Sequence, residues 1–273
     1  MPWRAAPSRR PSRREEKGLI MPAEETSPTI LFPPISSTEA AEVGADPFLS
    51  RKLGATEIYL IRHGDALPDA AEAVGGGYDE QGLSELGRRQ AEALGERFAS
   101  VELGAIYSSP LGRARQTAEA VAATTGCRVQ IDPELREVAL GPIGEPPGTE
   151  TSREEIARLL RDRLREIAVV AVASGKWASI PGSEPAGELR HRVMNAVQRI
   201  AGQHPGQRVA VVSHGGAINA YLATILGIER DYFFPAANTS VSTVRVKGQR
   251  HMLFALNDVN HLRDRELFPA DAV

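Results

Sequence analysis

The chain of 273 residues sets 32 Lys+Arg against 35 Asp+Glu, and a net charge of −3 argues against a general nucleic-acid binder, which carries a basic surplus. Its one cysteine, Cys127, excludes an intramolecular disulfide and fits a reducing, cytoplasmic compartment. No apolar run reaches the roughly 18 residues of a membrane span, so the composition is that of one large or two small globular domains.

The first twenty residues hold Arg4, Arg9, Arg10, Arg13, Arg14 and Lys17 against Glu15 and Glu16, whereas residues 21–50 carry acids and no Lys or Arg. Neither stretch has a sustained apolar period, so residues 1–50 are expected to be a disordered or weakly ordered extension. It reads as a tail, an upstream start before a true initiation at Met21, or a targeting arm without an amphipathic face. Residues 51–273 are expected to be the folded domain. Thr56–Ile61 reads as a strand. After the Gly75-Gly-Gly77 loop, Ser84 caps a helix presenting Leu86, Ala93, Leu94 and Phe98 on one face. Ala105–Ser108 is a short strand, 111–124 a helix and Arg128–Ile131 a third strand. Ser152 and Glu155 form a capping box for a helix displaying Ile156, Leu159, Leu160, Leu164 and Ile167. Leu189, Val193, Val197 and Ile200 mark another helix. Arg208–Val212 is a nearly continuous apolar strand of the kind buried on both faces, followed by a helix over 217–226. Ser242–Val246 and His251–Leu256 form a closing pair around Lys247-Gly248. Strands alternating with helices predict a three-layer α/β/α fold with a mainly parallel sheet.

Two segments share one design. Ile58–Ile61 runs into Arg62-His63-Gly64, and Val209–Val212 runs into Ser213-His214-Gly215-Gly216. Each is a buried-type strand that delivers a His into a Gly-containing turn, at the strand end where open α/β sheets bind ligands. Gly64 and Gly215 let the backbone approach a ligand closely. Arg113 follows the Ala105–Ser108 strand to the same edge. Two His with Arg62 and Arg113 concentrate positive charge in a nearly neutral chain, so the expected ligand is an anion such as phosphate or carboxylate. Zinc is the competing use of the His pair, but no third ligand stands at a recognisable spacing. His191, His204, His251 and His261 show no partner pattern.

Leu60-Ile-Arg-His-Gly64 resembles the motif that names the histidine phosphatase superfamily, the phosphoglycerate-mutase-like proteins. The resemblance continues in order through Asp79, Leu83-Ser-Glu-Leu-Gly87, Ser108-Ser-Pro-Leu-Gly-Arg-Ala-Arg-Gln-Thr-Ala118, Leu135-Arg-Glu137, Pro181-Gly-Ser-Glu184 with Glu188–Val193, and Val211-Val-Ser-His-Gly-Gly216, covering about residues 55–260. It implies a metal-independent, cofactor-free phosphatase acting on a small phosphomonoester. His63 would be the nucleophile and form a phosphohistidine. Arg62, Arg113, His214, Gly64 and Gly215 would hold the phosphate, with His214 also stabilising the transition state. Glu137 would donate and accept the proton, with Glu145 a competing carboxylate on the same irregular stretch. An acceptor should orient the second nitrogen of His63.

After Arg-His-Gly, the family's mutases usually continue with an acidic residue, a small polar one and Trp-Asn; here Asp65-Ala-Leu-Pro68 follows, and the Lys-rich tail often seen in those mutases is missing. These departures favour hydrolysis over the alternative of a phosphoglycerate-type mutase. A catalytically silent scaffold of the same fold is a third reading. Pro185 stands where the family's Gly-Glu motif usually has Ser. Glu184 is expected to cap or brace the following helix. Residues 144–180, with Pro146-Pro-Gly148 and Trp177, read either as a lid over the leaving-group pocket or as a helix packed on the core.

Overall fold

The apolar runs Ile58–Ile61 and Val209–Val212 lie side by side at the centre of one sheet. The computed structural model describes residues 36–66, 82–140, 152–263, 265 and 267. The basic arm, Met21, Gly75-Gly-Gly77, Asp79, Glu145 and Pro146-Pro-Gly148 lie outside the described residues. Six strands form the sheet: β1 (Thr56–Arg62), β2 (Ala105–Ser108), β3 (Val129–Ile131), β4 (Arg208–Ser213), β5 (Val241–Lys247) and β6 (Arg250–Asp258). Their order is β3-β2-β4-β1-β5-β6. The first four are mutually parallel, and β5 and β6 extend the sheet antiparallel from β1. The sheet is therefore mixed but mainly parallel, as the alternation of elements predicts.

Seven α-helices are described: α1 (Ser37–Ala45), α2 (Glu85–Phe98), α3 (Gly112–Thr125), α4 (Arg153–Ser174), α5 (Ala186–Gln203), α6 (Gly215–Leu226) and the short α7 (Asn260–Arg263). Side chains alternate across each central strand and feed two cores. Ile58, Leu60, Val209 and Val211 pack with Leu189, Val193 and Val197 of α5, Ile218 and Leu222 of α6, and Ile167 and Ala171 of α4. Ile61, Ile106, Ala210 and Val212 face the opposite way, onto Leu94 and Phe98 of α2 and Ala114, Ala118 and Val121 of α3. Burying each large aliphatic side chain contributes about 1.5–3 kcal/mol, which explains why β1 and β4 lack the polar alternation of a half-exposed strand.

Local signals also hold. The Ser84 hydroxyl accepts the Gly87 amide proton at 3.0 Å, and Ser152 accepts that of Glu155. Helix α4 runs seven residues beyond Ile167. Ile167 and Ala171 join the core, while Leu159, Val169 and Val172 are exposed; the side chains of Ile156, Leu160 and Leu164 lie outside the described set.

The chain divides into two units, Met1–Val43 and Gly44–Val273. The second unit begins at Gly44. Asp46 and Leu49 are buried, and Arg250 donates to the Asp46 carbonyl. This short anchoring stretch has no apolar period, so pattern reading assigns it to the tail. Among the described residues, no helix is long and apolar enough to cross a membrane.

Candidate active site

Strand register assembles the site. Arg62 on β1 pairs with Ser213 on β4, so His63 and His214 leave the sheet together, and the His63 amide donates to the Ser213 carbonyl. Their rings lie 5.0 Å apart, centroid to centroid. On the other side of β4, Ser108 pairs with Val212, which brings Ser109 to the same edge. Arg113 enters from the first turn of α3, and Arg62 is the last residue of β1. All four expected clamp and nucleophile side chains therefore meet at the carboxyl ends of parallel strands.

The hydrogen bonds assign a tautomer to His63. Arg113 Nε donates to Nε2 at 3.2 Å, while Nδ1 lies 2.7 Å from the Gly64 carbonyl oxygen. A carbonyl only accepts, so the proton sits on Nδ1 and the lone pair on Nε2. Gly64 is thus the acceptor that orients the second nitrogen. Burial, then the positive charges of Arg113 and Arg62, push the His63 pKa well below 6.5. His214 is fully buried, and its Nε2 lies 2.7 Å from Ser109 Oγ. Burial and then Arg113, His63 and Arg62 likewise hold its pKa well below the ordinary range.

Both imidazoles are therefore neutral in the folded chain while the unfolded chain takes up their protons near pH 6.5. The unfolded state binds more protons below that pH, so stability is full above about pH 6.5 and falls as the pH drops toward the depressed folded values. Urea unfolding between pH 7 and pH 5 should show this decline, and His214→Gln should flatten it by about 1.4 kcal/mol per pH unit. An unchanged slope in the variant would contradict the assignment.

Two buried donors point to an anionic ligand. Arg62 Nη1 donates to the Ala236 carbonyl, but among the described residues neither Arg62 Nε nor His214 Nδ1 has a partner. A buried polar atom without a partner costs about 1–3 kcal/mol, so such atoms in a functional cleft mark where a ligand is held.

The Gly residues divide in role. A Cβ on Gly215 would approach only the Arg62 side chain, at 3.8 Å, so the backbone there is open toward the guanidinium. Gly64 also has a packing role. Its amide donates to Thr117 Oγ1 at 3.0 Å, and a Cβ would stand 2.7 Å from the Gly87 carbonyl oxygen. Gly64 seats the turn against α2, and a Cβ on Gly87 would in turn strike the Asp65 carbonyl at 1.9 Å.

Glu137 sits at the N-terminus of α6, the helix that His214 begins. Its carboxylate accepts from Gly216 and Ala217 amides, each at 3.1 Å, and from Val138 at 2.9 Å. First-turn amides have no intrahelical acceptor, and the Glu137 carboxyl oxygens take that role. Gly216 is required here: its Cβ would fall 2.5 Å from Glu137 Oε1 and 3.1 Å from Trp177 Cζ2. Trp177 stacks edge-on against Tyr232, and the charges of Arg62 and Glu137 both act on the half-buried Tyr232 hydroxyl.

Sequence reading assigned no role to Ser109, Thr117, Tyr232 or Arg192. Ser109 carried a signal, as the residue directly beyond β2. The other three become visible only through contacts across the fold. Among the described residues no group of three or more His, Cys, Asp or Glu is placed to hold a metal ion.

Residues 58–259 match the profile of the histidine phosphatase superfamily (branch 1). The chain is 31% identical over 218 residues to a probable phosphoglycerate mutase GpmB of Erwinia tasmaniensis, covering 77% of this chain and 97% of that protein. It is 34% identical over 210 residues to a metal-independent phosphoserine phosphatase of Arabidopsis thaliana, covering 76% and 83%. The solved structure of Bacillus stearothermophilus YhfR is similar at a TM-score of 0.58 with 30% identity, covering 76% of this chain and 100% of that one.

Proposed function

Because the chain belongs to the histidine phosphatase superfamily, branch 1, we propose that it is a metal-independent, cytoplasmic phosphatase that hydrolyses small phosphomonoesters through a phosphohistidine on His63. The observation that carries this reading is the Nε2 lone pair of a neutral His63, held by the Gly64 carbonyl between Arg113, Arg62 and His214. Nε2 attacks phosphorus, the N–P bond forms and the ester P–O bond breaks. The protonated Glu137 carboxyl gives its proton to the departing alkoxide. Water then attacks the phosphohistidine, Glu137 takes a proton from it, and the N–P bond breaks to release phosphate and neutral His63.

Arg62, Arg113 and His214 hold the equatorial oxygens, where stabilising charge accounts for most phosphoryl-transfer catalysis. With the Ser109 hydroxyl donating to Nε2 of His214, its proton lies on Nδ1, available to a phosphate oxygen. Gly215 leaves the backbone open on the Arg62 side. Trp177 and Tyr232 lie on the Glu137 side of the site, and on this reading the leaving group takes that side. The domain responsible comprises residues 44–273.

The test is phosphate release from para-nitrophenyl phosphate in the presence of chelator, with an alkali-stable, acid-labile phosphoenzyme trapped on His63. No release by the parent chain would shift the reading to a silent scaffold. A panel of small phosphomonoesters should include phosphoserine and phosphoglycerates, because one relative is a phosphoserine phosphatase and another a probable phosphoglycerate mutase. Isomerised phosphoglycerate as the main product would establish the mutase reading.

Glu137→Gln tests the proton transfer. General acid help is worth about 10²–10⁴-fold and matters most when the leaving group is basic. Loss of kcat/KM should therefore be about 10²-fold or more for phenyl phosphate and far smaller for para-nitrophenyl phosphate. Equal losses on both would remove Glu137 from the acid role.

A further inference from the structure

Glu137 lies on an irregular stretch, yet its backbone is tied down from one point. Arg192, on the buried face of α5, donates through Nη1 to the Glu134 and Arg136 carbonyls at 2.8 Å each, and through Nη2 to the Glu137 carbonyl at 2.9 Å. The same guanidinium grips Glu184 in a two-pronged pair, Nε to Oε1 at 2.7 Å and Nη2 to Oε2 at 2.8 Å. Glu184 closes the other side of the stretch: its carboxylate accepts from the Ala139 amide, and its own amide donates to the Ala139 carbonyl at 2.6 Å. Both side chains are only 8% exposed. Arg192 and Glu184 thus bracket Glu137 by main-chain contacts on both sides, while the Glu137 carboxylate rests on α6.

A helix brace would not need this arrangement. Three of the Arg192 contacts go to the Glu137 stretch, and a buried ion pair is often no more stabilising than apolar residues of the same volume. What a planar fork adds is fixed geometry. We propose that Arg192 and Glu184 are positioning residues that set the Glu137 carboxyl at the leaving-group oxygen, beyond any part they have in stability. The proposal rests on Glu137 as the proton donor. It also answers the loss of the usual Ser at Pro185: the bracket is made by Glu184 and Arg192 alone, with no side chain required from position 185.

The experiment measures kcat/KM for phenyl and para-nitrophenyl phosphate on Arg192→Lys and Glu184→Gln, with the parent and Glu137→Gln alongside. kcat/KM reports steps up to phosphoenzyme formation, and the ratio of the two substrates cancels any inactive fraction of a preparation. A purely structural role would lower both values together and leave the ratio unchanged. Positioning of the acid predicts that Arg192→Lys lowers the phenyl-to-para-nitrophenyl ratio by about tenfold or more, part of the 10²–10⁴-fold that acid catalysis supplies. Glu184→Gln, which keeps the shape and one acceptor for Arg192, should move the ratio less. If Glu137→Gln shifts the ratio and neither bracket variant does, the positioning proposal is overturned while the acid assignment stands. If Glu137→Gln itself leaves the ratio unchanged, the acid assignment fails first.

Discussion

Replacing His63 with Ala is expected to lower kcat/KM for para-nitrophenyl phosphate by about 10⁵-fold or more and to abolish the trapped phosphoenzyme. The size follows from the absence of a substitute. No other His in the cleft is held with a lone pair on Nε2 between two arginines, and His214 is committed through Nε2 to Ser109. The variant should stay folded. Its cost is one buried acceptor for Arg113 Nε and a small cavity beside the Gly64 turn. That places the stability loss at about 1–3 kcal/mol, readable by urea unfolding at pH 7. Added imidazole can occupy the space and supply the missing nitrogen, so partial rescue by imidazole is the most specific sign that the lost group was the nucleophile. Parental turnover in the variant would remove His63 from that role.

The second large effect is at Arg113. Its Nε stands 3.2 Å from the attacking nitrogen, and only 3% of the residue is exposed. Arg113→Met should lower kcat/KM by about 10³-fold, since it removes a donor aimed at developing charge in a dry site. Arg113→Lys should recover little, because an ammonium cannot present the planar fork. The variants also carry a titration signature. Burial is the main cause of the depressed His63 pKa and Arg113 the next, so Arg113→Met relieves part of the depression. A protonated His63 cannot attack, so the acid limb of kcat/KM should move to higher pH. A limb that stays in place while activity falls would mean that Arg113 acts on phosphate alone.

The elements and most of the candidate site were legible because their signals are local. Continuous apolar runs with a turn marked β1 and β4, and hydroxyl caps marked α2 and α4. The two strand–His–Gly units imply a shared edge. What local patterns leave open depends on distant neighbours. Gly64 also admits the backbone of Gly87 on α2, an approach that no local pattern marks. Glu184 braces the following helix as expected, but its partner Arg192 lies on the inward face of α5, where charge patterning gives no warning of burial. Leu49 and Asp46 are buried in the folded unit on a stretch with no periodicity to mark it.

By itself, then, the sequence determined an α/β fold and the groups at one sheet edge, two imidazoles and two guanidiniums, in a chain whose total charge is nearly balanced. Propensity, burial pattern and residue type act over a few positions, and that is enough to choose strands, helices and the groups they carry. The tertiary structure alone decided register, tautomer and support. Pairing Arg62 with Ser213 sets the two rings 5.0 Å apart, the Gly64 carbonyl assigns the His63 proton, and Arg192 holds the stretch that carries Glu137. Each of these is a contact between residues tens to more than a hundred positions apart or a direction fixed by packing, and neither is encoded in any short window of the chain.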